Sequence, residues 1–195
     1  LARCALNPQT MQSGKYFVKP ARRKKNVAVI GGGIGGMESA ILLAKRGHDV
    51  TLYEKSNELG GVFIAAAAPS FKEKDRDLIA WYKRELTKYP NITVKLNCEV
   101  KHLSTCEADE VIIATGSVAN RIPVPGVEKG IQAIDFLLGK AEVGQNVIIV
   151  GGGLTGCEIA YELFLQGKNP TIVEMLDDLI CTPGICLANT SFLRD

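Results

Sequence analysis

Two glycine-rich stretches hold the residues with the most chemical promise. "VIGGGIGGMESA" sets Gly31, Gly33 and Gly36 in a G-x-G-x-x-G array, and "VGGGLTGCEIA" does the same with Gly151, Gly153 and Gly156. In such an array the first glycine permits a tight turn, and the second lets backbone N–H groups approach a pyrophosphate. The third allows close helix–strand packing, while the helix that follows adds partial positive charge at its N-terminus. An acid completes each set. Glu54 and Glu174 both stand 23 residues after the first glycine, where a carboxylate can accept hydrogen bonds from both hydroxyls of an adenosine ribose.

The elements that must position these residues are written twice. "VAVIGGGIGGMESAILLAKRGHDVTLYEK" from Val27 and "VIIVGGGLTGCEIAYELFLQGKNPTIVEM" from Val147 align without gaps at an offset of 120 residues. That offset exceeds the roughly 20–50 residues of a solenoid repeat, so one supersecondary unit is used twice. In each copy a buried-strand run ("NVAVI", "NVIIV") leads into the glycines. A helix follows, with Ala40, Leu43 and Ala44, or Ala160, Leu163 and Phe164, expected to face the sheet. Gly47 and Gly167 end the helices, and a second strand closes on the acid. Two glycine-rich turns in an ordinary α/β protein are the bland alternative, but strand, helix and acid fall in place in both copies. The expected fold is α/β, with two Rossmann-like dinucleotide-binding βαβ units.

Glu174 is followed by Met175, Leu176, Asp177 and Asp178, with no arginine to meet a ribose 2′-phosphate. The second site is therefore expected to prefer NADH over NADPH; the alternative is a strand-capping carboxylate in solvent. Between the copies, "ELGG" again brings backbone close to a ligand or a turn. "FKEKDRDLIAWYKRELTKYP" has the spacing of a helix, with Leu78, Ile79, Tyr82, Leu86 and Tyr89 on one apolar face and Trp81 at its edge. "NITVKLNCEV" suggests strands, "DEVIIATGS" a buried strand stopped by Gly116, and "IQAIDFLLGKA" a short helix.

Several function classes are disfavoured. No apolar run approaches the ~20 residues of a membrane span, and no secretory or targeting pattern is visible. Residues 1–25 hold seven Lys/Arg and no acid, but "KPARRKK" lacks aromatics and suggests a solvated linker rather than a nucleic-acid surface. His48 and His102 are isolated, and neither a Ser-His-Asp set nor a metal-spaced His/Cys cluster appears. The six cysteines have no small-secreted-domain spacing, which suggests reduced thiols in a cytoplasmic protein. "CTPGIC" (Cys181, Cys186) has C-x4-C spacing, yet flavin disulfide reductases place that pair soon after the first glycine motif. Here it follows the second strand of the second motif, so no active disulfide is expected.

"GGGIGGMESA…YEK…ELGG", "VIIATGS" and "GGGLTGCEIA…E" resemble flavoproteins with two dinucleotide domains. More narrowly, "CALNPQ", "AAAAPSFKEKD" and "LICTPG" resemble the C-terminal reductase half of the 2,4-dienoyl-CoA reductase / NADH:flavin oxidoreductase family. These are iron–sulfur relatives of old yellow enzyme, and the likeness spans nearly the whole chain. It implies an FAD domain followed by the start of an NAD(P)H domain. Residues 1–25 would be a linker, 26–125 the first part of the FAD domain, 126–144 a crossover and 145–195 a truncated NAD(P)H domain. FAD would be held by Gly31, Gly33, Ile34, Gly35, Gly36, Glu54, Lys55, Gly60 and Gly61, with Thr115 and Gly116 beside its adenine or phosphate arm. NADH would be held by Gly151, Gly153, Leu154, Thr155, Gly156 and Glu174, with Glu158 near the nicotinamide. Cys4, in "CALNP", matches the last ligand of a [4Fe-4S] cluster whose other three cysteines would lie upstream.

The resemblance further implies a relay. Hydride would pass from NADH to FAD, then single electrons through the cluster to FMN in an N-terminal barrel. There an activated C=C bond of an enoyl or dienoyl substrate would be reduced. Two rivals stay open: a disulfide-reductase-type flavoprotein, and an ADP-binding module without a redox role, as in the trimethylamine dehydrogenase branch.

Overall fold

The computed structural model describes residues 9–12, 14–181 and 191–194. In chain order the elements are β1 (Asn26–Ile30), α1 (Ile34–Lys45), β2 (Asp49–Tyr53), α2 (Phe63–Ala66), α3 (Glu73–Leu86), β3 (Ile92–Lys95) and β4 (Glu110–Ile113). They continue with α4 (Ala133–Leu137), β5 (Asn146–Val150), α5 (Leu154–Leu165), β6 (Asn169–Val173) and α6 (Ser191–Arg194). The chain divides into two compact units. One contains Leu1–Ile64 with Glu73–Val118, the other Ala65–Lys72 with Ala119–Asp195.

The first unit is built on a parallel sheet of order β3-β2-β1-β4. Strand β1 pairs with β2 (Val29 opposite Leu52) and with β4 (Val29 opposite Ile112). With a strand on each side and side chains packed over both faces, Val27 to Ile30 are all buried. One face packs Val29, Val50 and Leu52 against Met37, Ala40, Ile41 and Ala44 of α1 and Tyr82 and Leu86 of α3. The other packs Ala28 and Ile30 against Cys106, with Val100, Ala108 and Val111 around it. Leu52 is fully buried, so Leu52→Ala is expected to destabilise this unit by about 3 kcal/mol, measurable by denaturant unfolding.

Helix α3 follows its sequence pattern: Ile79, Tyr82 and Leu86 are buried, and Leu78 and Tyr89 pack at the margin. Glu73 and Asp75 in its first turn and Lys83 and Arg84 in its last complement the helix dipole. Trp81 sits at the edge, its ring in an edge contact with Tyr82 at 4.9 Å between centroids. Burial and the neighbouring Glu38 carboxylate, which accepts its hydrogen bond, push the Tyr82 phenol up to about 12. The linker's last residues lie on the unit's own surface. Lys24 pairs with Asp49 at 2.8 Å and Lys25 with Glu110 at 2.6 Å, while the Lys25 amide donates to Nδ1 of the buried His48 at 3.2 Å.

The second unit repeats the core βαβ: β5 pairs parallel with β6, Asn146 opposite Asn169 through Val150 opposite Val173, with α5 between them in sequence. Both helices end as expected, Gly47 and Gly167 adopting φ +92° and +74° just past the last turn.

Four local expectations are corrected. "NVIIV" is not buried throughout; β5 alternates, and Ile148 and Val150 are 73% and 67% exposed. Among the described residues its sheet has only two strands, with α5 packed on one face. "DEVIIATGS" forms an edge strand with Ile113 exposed, because among the described residues β4 has a strand partner on one side only. Phe164 faces solvent; Leu163 is buried as expected, and Cys157 and Ile159 complete the buried side of α5. In "NITVKLNCEV" only Ile92–Lys95 is strand. No helix among the described residues is long and apolar enough to cross a membrane.

Candidate functional site

Both glycine loops are strand-to-helix turns of matching geometry. Gly31 and Gly151 adopt φ +107° and +110°, the left-handed region that favours glycine. A Cβ at Gly36 would lie 1.8 Å from the Gly31 carbonyl oxygen, and one at Gly156 would lie 1.9 Å from that of Gly151. The third glycine is thus required where the helix crosses the strand end. At Gly33, Gly35 and Gly153 a Cβ would meet no atom within 4 Å, so these positions form the open lip of each loop.

Helices α1 and α5 follow directly on Gly33 and Gly153 as N-cap residues, neither with a side-chain cap and neither with an acid in its first turn. Their first-turn N–H groups, for which the helix has no internal acceptor, are left for an anion, reinforced by the helix dipole. The residues present fit a dinucleotide pyrophosphate at each loop.

Each acid is anchored to its loop. The Gly32 N–H donates to Glu54 Oε2 at 2.6 Å, and the Ser56 N–H and hydroxyl both donate to Oε1 at 2.8 Å. In the second copy the Gly152 N–H donates to Glu174 Oε2 at 2.6 Å, while the Met175 and Leu176 amides donate to Oε1 at 2.7 and 2.9 Å. An ionised carboxylate has about four acceptor positions, so each Oε2 keeps capacity for a hydroxyl.

Burial pushes Glu54 up, but the Ser56 and Gly32 amides, the Ser56 hydroxyl and the Lys55 charge outweigh it. The net effect lies below the ordinary 4.5. Glu174 is also lowered, by the Leu176, Gly152 and Met175 amides against a smaller opposing effect of burial. A carboxyl lowered on folding stabilises the fold above its unfolded value and loses that contribution as pH falls through the folded one. Thermal unfolding followed downward from pH 6 is therefore expected to show an acid-induced loss of stability below pH 4.5 that is reduced in Glu54→Gln.

The remaining predicted residues of the first site fall around the same loop. A Cβ at Gly31 would lie 2.3 Å from the Ala114 oxygen and 3.1 Å from Thr115 Cα, which puts Thr115 beside the first glycine; Gly116, with φ +73°, follows. The Gly60 N–H donates to the Gly32 carbonyl at 2.9 Å, and a Cβ at Gly61 would lie 3.1 Å from Gly33 Cα. "ELGG" therefore approaches the loop backbone directly. Ile34 packs against the core, and Lys55 flanks Glu54.

In the second unit Leu154, Thr155 and Gly156 form the first turn of α5. Glu158, one turn on, is held by the Lys72 ammonium at 2.7 Å, the two side chains being 15% and 19% exposed. The predicted cluster ligand Cys4 lies outside the described residues, as does Cys186. Cys181 is exposed, with its thiol 3.0 Å from the Asp178 carbonyl oxygen. Among the described residues no group of three or more His, Cys, Asp or Glu is placed to hold a metal ion.

Three features lay outside the sequence-based site. Ser56 holds Glu54, whereas Leu176 at the equivalent position has no hydroxyl to offer. Lys72 opens the mixed-charge run "KEKDRD" after "AAAAPSF", and nothing local sets it apart from Lys74 or Arg76. The internal repeat also extends further than the acids. Leu59 and Leu179 both come within 2.5 Å of a Cβ built at Gly32 or Gly152, and the Ile180 N–H donates to the Gly152 carbonyl at 2.8 Å as Gly60 does to Gly32. The pairing of "EL" with "DL" at the same 120-residue offset was the available signal. Ile180 holds φ +55° where the first copy has glycine, a conformation costing about 1–2 kcal/mol for a side-chain-bearing residue.

Comparison with known proteins agrees with this geometry. The chain is 43% identical to cinnamate reductase of Clostridium sporogenes, over 98% of this chain and 29% of that protein. It is 40% identical to NADH oxidase of Thermoanaerobacter brockii, over 91% of this chain and 28% of that protein. A solved 2-naphthoyl-CoA reductase in complex with 2-naphthoyl-CoA superposes with a TM-score of 0.88 at 31% identity, covering 98% of this chain and 30% of that one. The chain thus spans less than a third of the length of these relatives. A family model described as pyridine nucleotide-disulphide oxidoreductase matches residues 25–185, and with the paired glycine loops and their anchored acids this shows that the chain belongs to that family.

Proposed function

We propose that this chain is the dinucleotide-handling part of an NADH-dependent flavin oxidoreductase that reduces an activated C=C bond of an enoyl- or dienoyl-type substrate. The first loop with Glu54 would hold FAD, and the second with Glu174 would hold NADH. The observation that carries the reading is the repeated anchoring of an acid on its glycine loop, Gly32 N–H to Glu54 and Gly152 N–H to Glu174, each at 2.6 Å. When bound, nicotinamide and flavin supply the hydride chemistry. The chain's own residues do the positioning: loop amides orient each pyrophosphate, and Glu54 and Glu174 orient each ribose. Lys72 neutralises Glu158 in the helix whose first turn carries the second loop.

Cinnamate, named for one relative, carries an activated C=C bond, which supports the substrate class. An FMN barrel and a [4Fe-4S] cluster, with Cys4 as one ligand, belong to the same proposal, as does a cytoplasmic location.

The test is separate titration of the purified protein with FAD and with ADP. FAD binding at least tenfold tighter, about 1.4 kcal/mol, is expected. Equal affinity would mean that only the ADP half is recognised, and would replace the flavin reading with that of a nucleotide-binding module.

A further inference from the structure

Three consecutive residues of the Ala65–Lys72 strap meet one face of α5, all inside the second unit. Lys72 pairs with Glu158 at 2.7 Å. Phe71 packs edge-on against Tyr161, with 5.2 Å between centroids. The Ser70 amide and hydroxyl both donate to Glu162 Oε2 at 2.8 Å. Glu158, Tyr161 and Glu162 are spaced i, i+3 and i+4, which places them on one stripe of the helix. The other carboxylate oxygen of Glu162 accepts from Gln166 Nε2 at 3.0 Å, one turn further on, so Glu162 is braced from the far side.

These contacts have an electrostatic consequence. Glu158 stands one turn from a loop whose amides are arranged for an anion, and an unpaired carboxylate there would oppose a dinucleotide pyrophosphate. The Lys72 ammonium cancels that charge. Lysine, however, is a long and flexible side chain, and its ammonium stays on Glu158 only if the strap's backbone is fixed. Charge-assisted bonds to both the amide and the hydroxyl of Ser70, two residues away, supply that fixation.

We propose that Glu162 is a positioning residue for the second dinucleotide site: by clamping Ser70 it holds the strap so that Lys72 neutralises Glu158 beside the glycine loop. The inference rests on the NADH reading above, and Glu162 touches no reacting atom. It also runs against simple charge counting, since deleting an acid from α5 should by itself favour an anionic ligand.

The experiment pairs NADH dissociation constants from fluorescence titration with amide hydrogen exchange at Ser70 in nucleotide-free protein. Glu162→Ala is expected to speed exchange at Ser70 and to weaken NADH binding about fivefold. Glu162→Gln, which keeps an acceptor oxygen, should restore both. Lys72→Met should weaken NADH binding similarly without speeding Ser70 exchange. In a Glu158→Gln background the NADH effect of Glu162→Ala should vanish while exchange stays fast. Unchanged NADH affinity in Glu162→Ala, or a loss that persists in the Glu158→Gln background, overturns the inference alone. Wild-type protein that does not bind NADH overturns the functional reading itself.

Discussion

Gly36→Ala is expected to break the first site structurally, whereas Gly33→Ala, three residues away, is expected to leave the fold intact and lose the nucleotide. A methyl at Gly36 would sit 1.8 Å from the Gly31 carbonyl oxygen. Both sides of that clash are backbone, so no side chain can swing aside, and the helix must move off the strand end. The cost is about 3 kcal/mol or more, and Gly156→Ala should behave alike at 1.9 Å from the Gly151 oxygen. Gly33 has φ −71° and ψ −178°, which any residue adopts, and its Cβ would meet nothing within 4 Å. Stability there should change by no more than about 0.5 kcal/mol. The added methyl would instead stand on the open lip where a pyrophosphate must approach the amides, and FAD affinity should drop at least tenfold, or about 1.4 kcal/mol. Denaturant unfolding and FAD titration of both variants separate the two effects. Wild-type FAD affinity in Gly33→Ala would show that the loop does not hold the pyrophosphate.

The second large effect is expected at Glu174. Its Oε2 is fixed by the Gly152 N–H and retains acceptor capacity, so a bound ribose hydroxyl would gain a charge-assisted bond to it. Glu174→Ala should weaken NADH binding by about 1.5–3 kcal/mol, roughly 10- to 150-fold. NADPH should lose nothing, because its 2′-phosphate meets repulsion from the same carboxylate. Glu174→Gln keeps the anchor on Gly152 and removes the charge, so it should improve NADPH binding while costing NADH less than alanine does. The measurement is the ratio of NADH to NADPH dissociation constants across the three proteins. An unchanged ratio would show that Glu174 does not sense the ribose.

Both predictions concern features legible in the sequence, because they depend on short stretches of backbone. A G-x-G-x-x-G turn is set by the φ values glycine allows and by the absence of Cβ atoms within six residues. The acid reaches it by a single strand–helix–strand excursion of fixed length. Repetition at 120 residues made the same short-range logic visible twice, and the amphipathic spacing of α3 was readable for the same reason.

Burial was less legible. "NVAVI" and "NVIIV" are nearly the same five residues, yet β1 is buried from Val27 to Ile30 and β5 alternates. The difference lies in which strands and helices flank each one, and no local pattern encodes that. Phe164 and Ile113 depart from their local pattern on the same ground, being apolar residues whose exposure depends on neighbours distant in sequence.

What the sequence by itself determined is the pair of loop-and-acid sites and the βαβ units that present them, since those rest on backbone geometry and spacing within a single unit. Only the tertiary structure decided that Ser70 and Lys72 meet Glu162 and Glu158 across 92 and 86 residues of chain. A contact of that span is made by packing the strap on α5, and neither end of it carries a local signal that the other exists.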